Sequence, residues 1–386
     1  MNHVEIHRNK RLKQLTGLLE KNSNLSVKEL SNLTGIPARS IDRYIQKFSL
    51  RGSCNQSPEI DSKIQSTSSE MLRWKTKYRD ALDVISDQER MISTLMSIPK
   101  SPEIVPILER DMSEREAVPV IVASDWHIEE TVTKCITNGK NEYNLDIAER
   151  SIKQFFSNAT YMINRERKDI KINTVVVAIL GDIINGVLRA EDLQNNSVTS
   201  IDALTIARSL IYSGIKKMAE DTGCDIKVIC TVGNHGRITE KIFPSNQVHN
   251  SLEYLMYKTI ERDFRDNAKV EVKVSESYYF MQEIFGMKIR FHHGHIFKFN
   301  GGIGGLSVPV LRKIAQMNLT ENADLDVCGH FHSTQIFSNA LLNGSIVGSN
   351  GYSMSLGIPF ERPCQLFFMI DSKYGRTTVC PIFIDR

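Results

Sequence analysis

The stretch Val-Val-Val-Ala-Ile-Leu-Gly-Asp-Ile-Ile-Asn-Gly, residues 175–186, decides the fold class of this chain. Its first six residues are apolar, which predicts a β-strand at about 173–180. Asp182 follows this strand at once, and Gly186 stands just beyond it. The pattern therefore predicts a carboxylate held at the carboxyl end of an apolar strand.

Four further polar segments each follow a predicted strand in the same way. They are Asp125-Trp126-His127, Gly233-Asn234-His235-Gly236, His292-His293-Gly294-His295 and Gly329-His330-Phe331-His332. The predicted strands lie at about 118–123, 173–180, 225–232, 270–275, 278–283, 288–292, 324–328, 365–371 and 376–384. The predicted helices lie at about 145–168, 200–220, 248–262 and 308–318. Alternation of this kind indicates an α/β fold.

The side chains in these segments are of the types that bind divalent metals. Carboxylate, amide and imidazole groups supply oxygen and nitrogen donors that suit Mn²⁺, Fe or Zn²⁺. Asp125 and His127 are two residues apart, so on a regular strand they would share one face. The carboxylate of Asp182 has two oxygens and can bridge two ions about 3.5–4 Å apart.

The order and content of the five segments resemble the calcineurin-like metallophosphoesterase superfamily, which includes SbcD-type nucleases, phosphodiesterases and Ser/Thr phosphatases. The resemblance covers roughly residues 117–350. It implies a two-sheet β-sandwich flanked by helices and two divalent metal ions, with Mn²⁺ preferred and Fe or Zn²⁺ as alternatives. By the resemblance, the first ion takes Asp125, His127, Asp182 and His332, and the second takes Asp182, Asn234, His293 and His330.

The resemblance also assigns roles around the metals. His235 matches the catalytic histidine of the family, which donates a proton to the leaving alkoxide or stabilises the transition state while metal-activated water attacks phosphorus. His295 is expected to orient a ligand or touch substrate, whereas His292 should point to the other side of its strand. Arg189 and Arg237 are candidates for holding a phosphate, with ordinary surface arginines as the alternative.

Two positions depart from the family pattern. Gly236 stands where an acidic residue is common, and Asn185 stands where SbcD-type nucleases have a histidine that assists exonuclease chemistry. The Asp-Arg-Gly pattern of Ser/Thr phosphatases is absent from this neighbourhood. These differences weigh against processive exonuclease action.

Basic charge is concentrated at the N-terminal end of the chain. The net charge is +3, and residues 1–50 hold nine Lys/Arg against four Asp/Glu, which gives +5 there and −2 for the remainder. Three short helices are predicted, the second opened by a capping box of Ser26 and Glu29 and the third running over 37–48. A local positive charge indicates an anionic partner.

Residues 8–50 resemble the helix-turn-helix of bacterial regulators, with 37–48 as the recognition helix. The predicted buried positions include Leu33, Ile41, Ile45 and Phe48. The outward residues of the third helix, which would contact DNA, are Arg39, Ser40, Arg43, Tyr44 and Lys47. The alternative is a small three-helix bundle that docks protein.

Residues 52–97 are predicted to form a linker followed by one helix. Residues 52–68 are polar and serine-rich, which predicts a flexible linker. Within 69–97 a 4-3 spacing connects Met71, Lys75, Tyr78, Leu82, Ile85, Glu89, Ile92 and Met96. This spacing favours a coiled coil and a homo-oligomer despite two charged positions, and the alternative is an amphipathic helix packed on the catalytic domain.

The predicted domains follow from these boundaries. They are a helix-turn-helix domain at 1–51, a flexible linker at 52–68, a helix at 69–97, a second linker at 98–116 and a metallophosphoesterase domain at 117–386. No apolar run approaches the ~20 residues of a membrane span, and the N-terminus lacks the apolar core of a signal peptide. Seven scattered cysteines without a Cys-x-x-Cys pair fit a reducing cytoplasm. We therefore expect a cytoplasmic protein without membrane contact.

The sequence as a whole predicts a cytoplasmic two-metal phosphoesterase that hydrolyses nucleic-acid phosphodiesters and is brought to DNA by its N-terminal helices. One alternative is a phosphomonoesterase or nucleotide phosphodiesterase. Another is a non-catalytic DNA-binding regulator that keeps the fold as a scaffold. An intact His235 beside a full set of ligands argues against the regulator.

Overall fold

The structure, a computed structural model, describes residues 3–48, 58–97, 115–187, 190–298, 305–355 and 359–385, with no side-chain environment for 3–10, 58–65, 191 and 352. The chain divides into two compact units, Met1–Glu109 and Arg110–Arg386. Within the described ranges, no helix combines the length and the apolar character that a membrane crossing requires. The six cysteines in those ranges are free thiols.

Three helices make up the first part of the N-terminal unit. They are α1 (His3–Lys21), α2 (Val27–Thr34) and α3 (Ala38–Phe48). The predicted capping box is present: the Glu29 N–H donates to Ser26 Oγ (3.3 Å), and the Ser26 N–H donates to the Glu29 carboxylate (2.7 Å). Their shared apolar core consists of Leu15, Leu19, Leu30, Ile36 and Ile41.

The surface of α3 matches the predicted outward residues only in part. Arg39, Arg43 and Lys47 are exposed, whereas Ser40 and Tyr44 are half-buried. Two predicted core positions were wrong, because Leu33 is 60% exposed and Phe48 is 37% exposed. Both lie at the last turn of a short helix, where the small core no longer covers them. Phe48 instead stacks on Tyr44, with ring centroids 6.0 Å apart.

A single long helix, α4 (Pro58–Ser97), follows. It begins eleven residues before the predicted 69, so 58–68 is helical and the predicted linker is too long. Proline suits the first turn of a helix, and neither glycine nor another proline occurs from 59 to 97. Every side chain described in this helix, from 66 to 97, is exposed.

Two β-sheets form the centre of the larger unit. The first contains β1 (Ala117–Ala123), β2 (Thr174–Ile179), β3 (Asp225–Cys230), β4 (Val270–Val274), β10 (Cys364–Asp371) and β11 (Gly375–Phe383), in the order β11-β10-β1-β2-β3-β4. Strands β1 to β4 run parallel, and β10 and β11 extend the sheet with antiparallel pairings. The second contains β5 (Tyr279–Ile284), β6 (Met287–His292), β7 (Leu325–Cys328), β8 (Gln335–Ile336) and β9 (Ala340–Leu342), in the order β5-β6-β7-β9-β8.

An apolar layer joins the two sheets. Val120, Val122 and Val176 of the first sheet belong to the same buried cluster as Phe291 and Val327 of the second. Alternate residues of β1 and β2 point to the opposite face, where the long helices pack. These helices are α5 (Leu145–Glu166), α7 (Ser200–Thr222) and α8 (Leu252–Asp263), while α9 (Ser307–Asn318) packs on the second sheet. The predicted two-sheet α/β sandwich flanked by helices is confirmed.

Some element boundaries differ from the prediction. Helix α8 begins at Leu252 rather than 248, because Ser251 forms an isolated β-bridge with Arg237. The two short helices α6 (Ala190–Asn195) and α10 (Gly351–Ser355) were not predicted. Helices of five or six residues are too short to produce a recognisable apolar period.

Candidate metal centre

The five polar segments lie at the carboxyl ends of strands from both sheets. Asp125, Asp182 and Asn234 follow β1, β2 and β3, whose parallel arrangement brings their ends to one edge. His293 and His330 follow β6 and β7, which are parallel neighbours in the second sheet. Loops beyond the carboxyl ends of parallel strands are the usual place for ligand sites in α/β proteins.

The first group of metal-binding side chains is Asp125, His127 and His332, whose ligand atoms all lie within 4.8 Å of one another. The Nε2 atoms of the two histidines are 3.2 Å apart, and His332 Nε2 is 3.5 Å from Asp125 Oδ1. Asp125 and His127 are fully buried or nearly so. The Asp125 carboxylate also accepts from Ser124 Oγ (2.5 Å) and from the His330 N–H (3.0 Å). Two of the contributing loops are therefore linked at this carboxylate.

The second group is Asp182, His293 and His330, again with ligand atoms within 4.8 Å of one another. His293 Nε2 lies 2.8 Å from Asp182 Oδ2 and 3.1 Å from Asn234 Oδ1, so the amide oxygen joins this group. The main-chain oxygen of Asp182 accepts from the N–H groups of Trp126 and His127 (2.8 and 3.1 Å). The loop that carries the first group is thus anchored on a residue of the second.

The backbone is left-handed at five of the seven proposed ligands. Positive φ angles occur at Asp125 (55°), His127 (40°), Asp182 (51°), His330 (73°) and His332 (54°). Asp, Asn and His are the non-glycine residues that adopt this region most readily. Asp125 and His127 therefore do not project from a regular strand as predicted, since β1 ends at Ala123 and a tight loop brings them together.

Hydrogen bonds fix the orientation of two proposed ligand rings. His127 Nδ1 donates to Asn185 Oδ1 (3.2 Å), and His293 Nδ1 donates to the Leu180 carbonyl (2.8 Å). In each neutral imidazole this leaves the lone pair on Nε2, which is the nitrogen that faces the other ligands. A metal-binding histidine is normally held in this way by its second nitrogen. The donor set and its orientation therefore fit a divalent cation in each group.

Burial shifts the pKa of most of these side chains toward the uncharged form. Burial raises the pKa of Asp125 to about 7 and lowers that of His332 to about 4. Burial also lowers the pKa of His127 and His330 well below its ordinary value. Burial by itself would lower the pKa of His293, but the Asp182 carboxylate beside it raises that pKa to about 9. A cation that binds here must displace the His293 proton, as metal binding to imidazole requires.

His235 lies beside both groups without belonging to either. Its Nδ1 donates to the Asn185 carbonyl (2.8 Å), and its main-chain N–H donates to Asp182 Oδ1 (2.8 Å). Its ring centroid is 4.7 Å from that of His127. Asn185 therefore positions His235 through its carbonyl and His127 through its side chain, a double role that was not predicted.

Two buried glutamates support the ligand loops and were not predicted. Glu129 accepts from the N–H groups of Asn185 (2.9 Å) and Gly186 (3.0 Å). Glu253 accepts from those of Ile183 (2.6 Å) and Gly233 (2.8 Å). Burial is the main cause that raises the pKa of each carboxyl to about 7. A single acidic residue, in a loop like Glu129 or near a helix start like Glu253, carries no sequence signal that separates it from a surface residue.

The remaining predicted site residues have varied surroundings. His295 is half-buried; its Nε2 is 2.8 Å from the Gln247 amide, and its ring is 5.5 Å from that of His293. His292 faces Asp326 (3.3 Å). The guanidinium of Arg237 donates to the carbonyls of Asn234 (2.5 Å) and Thr239 (3.1 Å), and so braces the loop of a proposed ligand. Arg189 lies outside the described residues.

Comparison with known proteins gives distant structural likenesses only. No family model matches the chain, and no curated protein matches it. Similar solved structures include a predicted phosphoesterase from Streptococcus pneumoniae TIGR4, at 15% identity and TM-score 0.28 over 69% of this chain and 90% of that one. A dimetal phosphatase from Danio rerio has 11% identity and a TM-score of 0.32 over 69% of this chain and 99% of that one. Zinc-bound Vps29 from Entamoeba histolytica has 11% identity and a TM-score of 0.28 over 68% of this chain and 99% of that one. Likenesses this distant do not indicate a function. The function is inferred from the side chains described above.

Proposed function

We propose that this protein is a two-metal-dependent phosphoesterase that hydrolyses nucleic-acid phosphodiester bonds. The observation that carries the proposal is the pair of adjoining ligand groups with His235 beside them. Asp125, His127 and His332 would hold one ion, Asn234, His293 and His330 the other, and Asp182 would bridge the two. Mn²⁺ suits this mixed oxygen and nitrogen set, with Fe or Zn²⁺ as alternatives.

The residues of the chain would divide the chemistry between them. When bound, two divalent ions supply Lewis acidity at a phosphoryl group and acidify water. His235 would protonate the leaving oxygen, and the contact of its Nδ1 with the Asn185 carbonyl supports this role because Nε2 is left to carry the transferred proton. Glu129 and Glu253 hold the surrounding loops through buried main-chain N–H groups.

Two observations favour the alternative of a small-molecule phosphomonoesterase or phosphodiesterase. The Asn185 side chain is engaged with His127 (3.2 Å) and with Asn196 (2.8 Å), so it does not replace the histidine that nucleases of this type use. A small cavity beside His330 and His332, lined also by Asn350 and Arg362, offers room for a compact leaving group.

The direct test is a substrate panel with purified protein and added Mn²⁺. Labelled duplex and single-stranded DNA would be compared with an aryl phosphodiester and an aryl phosphomonoester, each with and without a chelator. Metal-dependent cleavage of DNA and of the diester supports the proposal. Turnover of the monoester alone supports the phosphomonoesterase, and no turnover with any substrate supports the regulator.

We further propose that α3 is the DNA-recognition helix of a helix-turn-helix. Arg39, Arg43 and Lys47 are exposed on one helix, and arginine and lysine are the usual phosphate contacts in DNA complexes. Replacing all three with alanine is expected to weaken duplex binding and to reduce the slope of log affinity against log salt by about one for each basic side chain that touches a phosphate. Binding would be measured by fluorescence anisotropy over a salt series.

A control separates recognition from general charge. Lys13→Ala removes one exposed positive charge from α1, and it should change the salt slope less than Arg43→Ala does. Equal slopes for these two single variants would mean that α3 has no special role. Unchanged affinity in the triple variant would place the DNA contacts outside α3.

A further inference from the structure

Gly236 and Glu253 fit together as one unit behind the metal centre. Glu253 lies in the first turn of α8 and has no solvent exposure. A Cβ atom built on Gly236 would lie 2.6 Å from Glu253 Cγ, which is closer than real Cβ atoms approach, and a tight 3.1 Å from Glu253 Cδ. The space beside residue 236 is therefore filled by a carboxylate that arrives from a different element.

This carboxylate ties two ligand loops together. Its Oε1 accepts from the N–H of Ile183, the residue after Asp182, and its Oε2 accepts from the N–H of Gly233, the residue before Asn234. The two loops leave neighbouring strands, β2 and β3. One side chain thus sets the distance between two of the proposed ligands.

We infer that Glu253 is a positioning residue for the metal centre, and that Gly236 is the position that makes room for it. The inference rests on the proposed two-ion site. It follows that the two positions should be able to exchange roles. A carboxylate at position 236 should replace that of Glu253, because both would occupy the same space. A glutamate at 236 should be harmful only while Glu253 is present.

The exchange can be tested with four variants. Glu253→Gln leaves one N–H donor facing an amide NH₂, so Mn²⁺ affinity in calorimetric titration is expected to fall about 10–100-fold. Glu253→Ala and Gly236→Glu should each lose affinity similarly. The double variant Gly236→Glu/Glu253→Ala should regain at least about tenfold over Glu253→Ala. The absorption spectrum of bound Co²⁺ should follow the same order, since it reports ligand geometry independently of turnover.

The control is Glu261→Gln, which changes a more exposed acid on the same helix and should leave Mn²⁺ affinity unchanged. If the wild-type protein binds no ions, the proposed function fails rather than this inference. If the wild type binds two ions and Glu253→Gln binds them equally well with the same Co²⁺ spectrum, Glu253 is not a positioning residue. If Glu253→Gln does not fold, the double variant decides: no recovery over Glu253→Ala overturns the exchange.

A separate observation concerns α4, which carries a largely apolar stripe and has every described side chain from 66 to 97 exposed. Large apolar residues on it are strongly exposed, among them Trp74 (68%), Tyr78 (68%) and Leu95 (58%). The predicted seam contains two charged residues, Lys75 and Glu89. If every second seam position is taken one residue earlier, the heptad spacing is kept and the seam has no charged residue. It then consists of Met71, Trp74, Tyr78, Ala81, Ile85, Gln88, Ile92 and Leu95. More than three heptads of this kind indicate a coiled coil.

We propose that a second copy of this chain covers the stripe. The apolar stripe can pack against the same stripe of a second copy. Side chains of opposite charge at its border would then face each other whether the two helices run parallel or antiparallel. Lys75 would face Glu89 of an antiparallel partner helix or Glu70 of a parallel one. A helix with such a stripe gains its stability mainly by burying it.

Light scattering on the full chain tests this proposal at micromolar concentration. A dimer is expected for the wild type, and Ile85→Glu should convert it to a monomer because a charge would enter the seam. Thr76→Glu adds the same charge on the far face of the helix and should remain dimeric. A monomeric wild type, or a dimer unaffected by Ile85→Glu, rejects pairing between copies through α4.

Discussion

Replacing Asp182 with alanine is expected to leave the protein with neither metal ion. Under the proposed assignment its carboxylate is the ligand that both ions share. The change also removes the acceptor of the His235 N–H (2.8 Å) and the partner of His293 (2.8 Å). Elemental analysis and Mn²⁺ titration should find two ions in the wild type and none in the variant, with hydrolysis reduced to background.

The control for this experiment is a carboxylate far from the ligands. Asp221→Ala removes an acid that pairs with Lys217 one turn away on α7, and both ions should remain bound. Circular dichroism would establish that each variant is folded. Two ions retained by the Asp182→Ala protein would show that the ligand assignment is wrong.

Replacing His235 with alanine is expected to leave both ions bound but to lower kcat about 10²–10⁴-fold on DNA, the usual scale for general acid–base catalysis. The physical reason is the loss of a proton donor at the leaving alkoxide. The loss should be much smaller for an aryl phosphodiester, whose leaving group departs readily without protonation. Comparing kcat for the two substrates, together with the metal content, tests the role.

An exposed histidine gives the matched control. His249→Ala changes a side chain whose ring packs against Tyr254 and should alter neither metal content nor kcat. An equal loss on both substrates for the His235 variant would assign this residue to substrate or water placement instead of proton transfer. Unchanged rates on DNA would remove it from the mechanism.

The strand ends carried most of the predictive information in the sequence. Apolar runs such as Val175–Leu180 predict strands, and the polar residues directly after them were brought to one edge by the parallel sheet. The supporting residues could not be predicted, because Glu129, Glu253 and Asn185 act through main-chain donors and neighbouring rings that only the folded loops bring near. Their residue types are equally common on surfaces.

Local geometry explains the predictions that were wrong. Alternation on a regular strand did not apply to Asp125 and His127, because both have a left-handed backbone. The apolar period placed Leu33 and Phe48 in a core that is too small to reach the helix ends. Residues 58–68 were predicted to belong to a linker, yet they contain no helix breaker after Pro58 and form part of α4.

The proposed ligands are divided between the two layers of the sandwich: the loops after β1, β2 and β3 supply four, and those after β6 and β7 supply three. Neither sheet holds a complete set for either ion. Ions would therefore bind only after the sheets have packed, and by mass action each would add its binding free energy to keeping them together. A shortage of metal in the cell would then lower the amount of folded protein, and a chelator should lower the melting temperature as well as the activity.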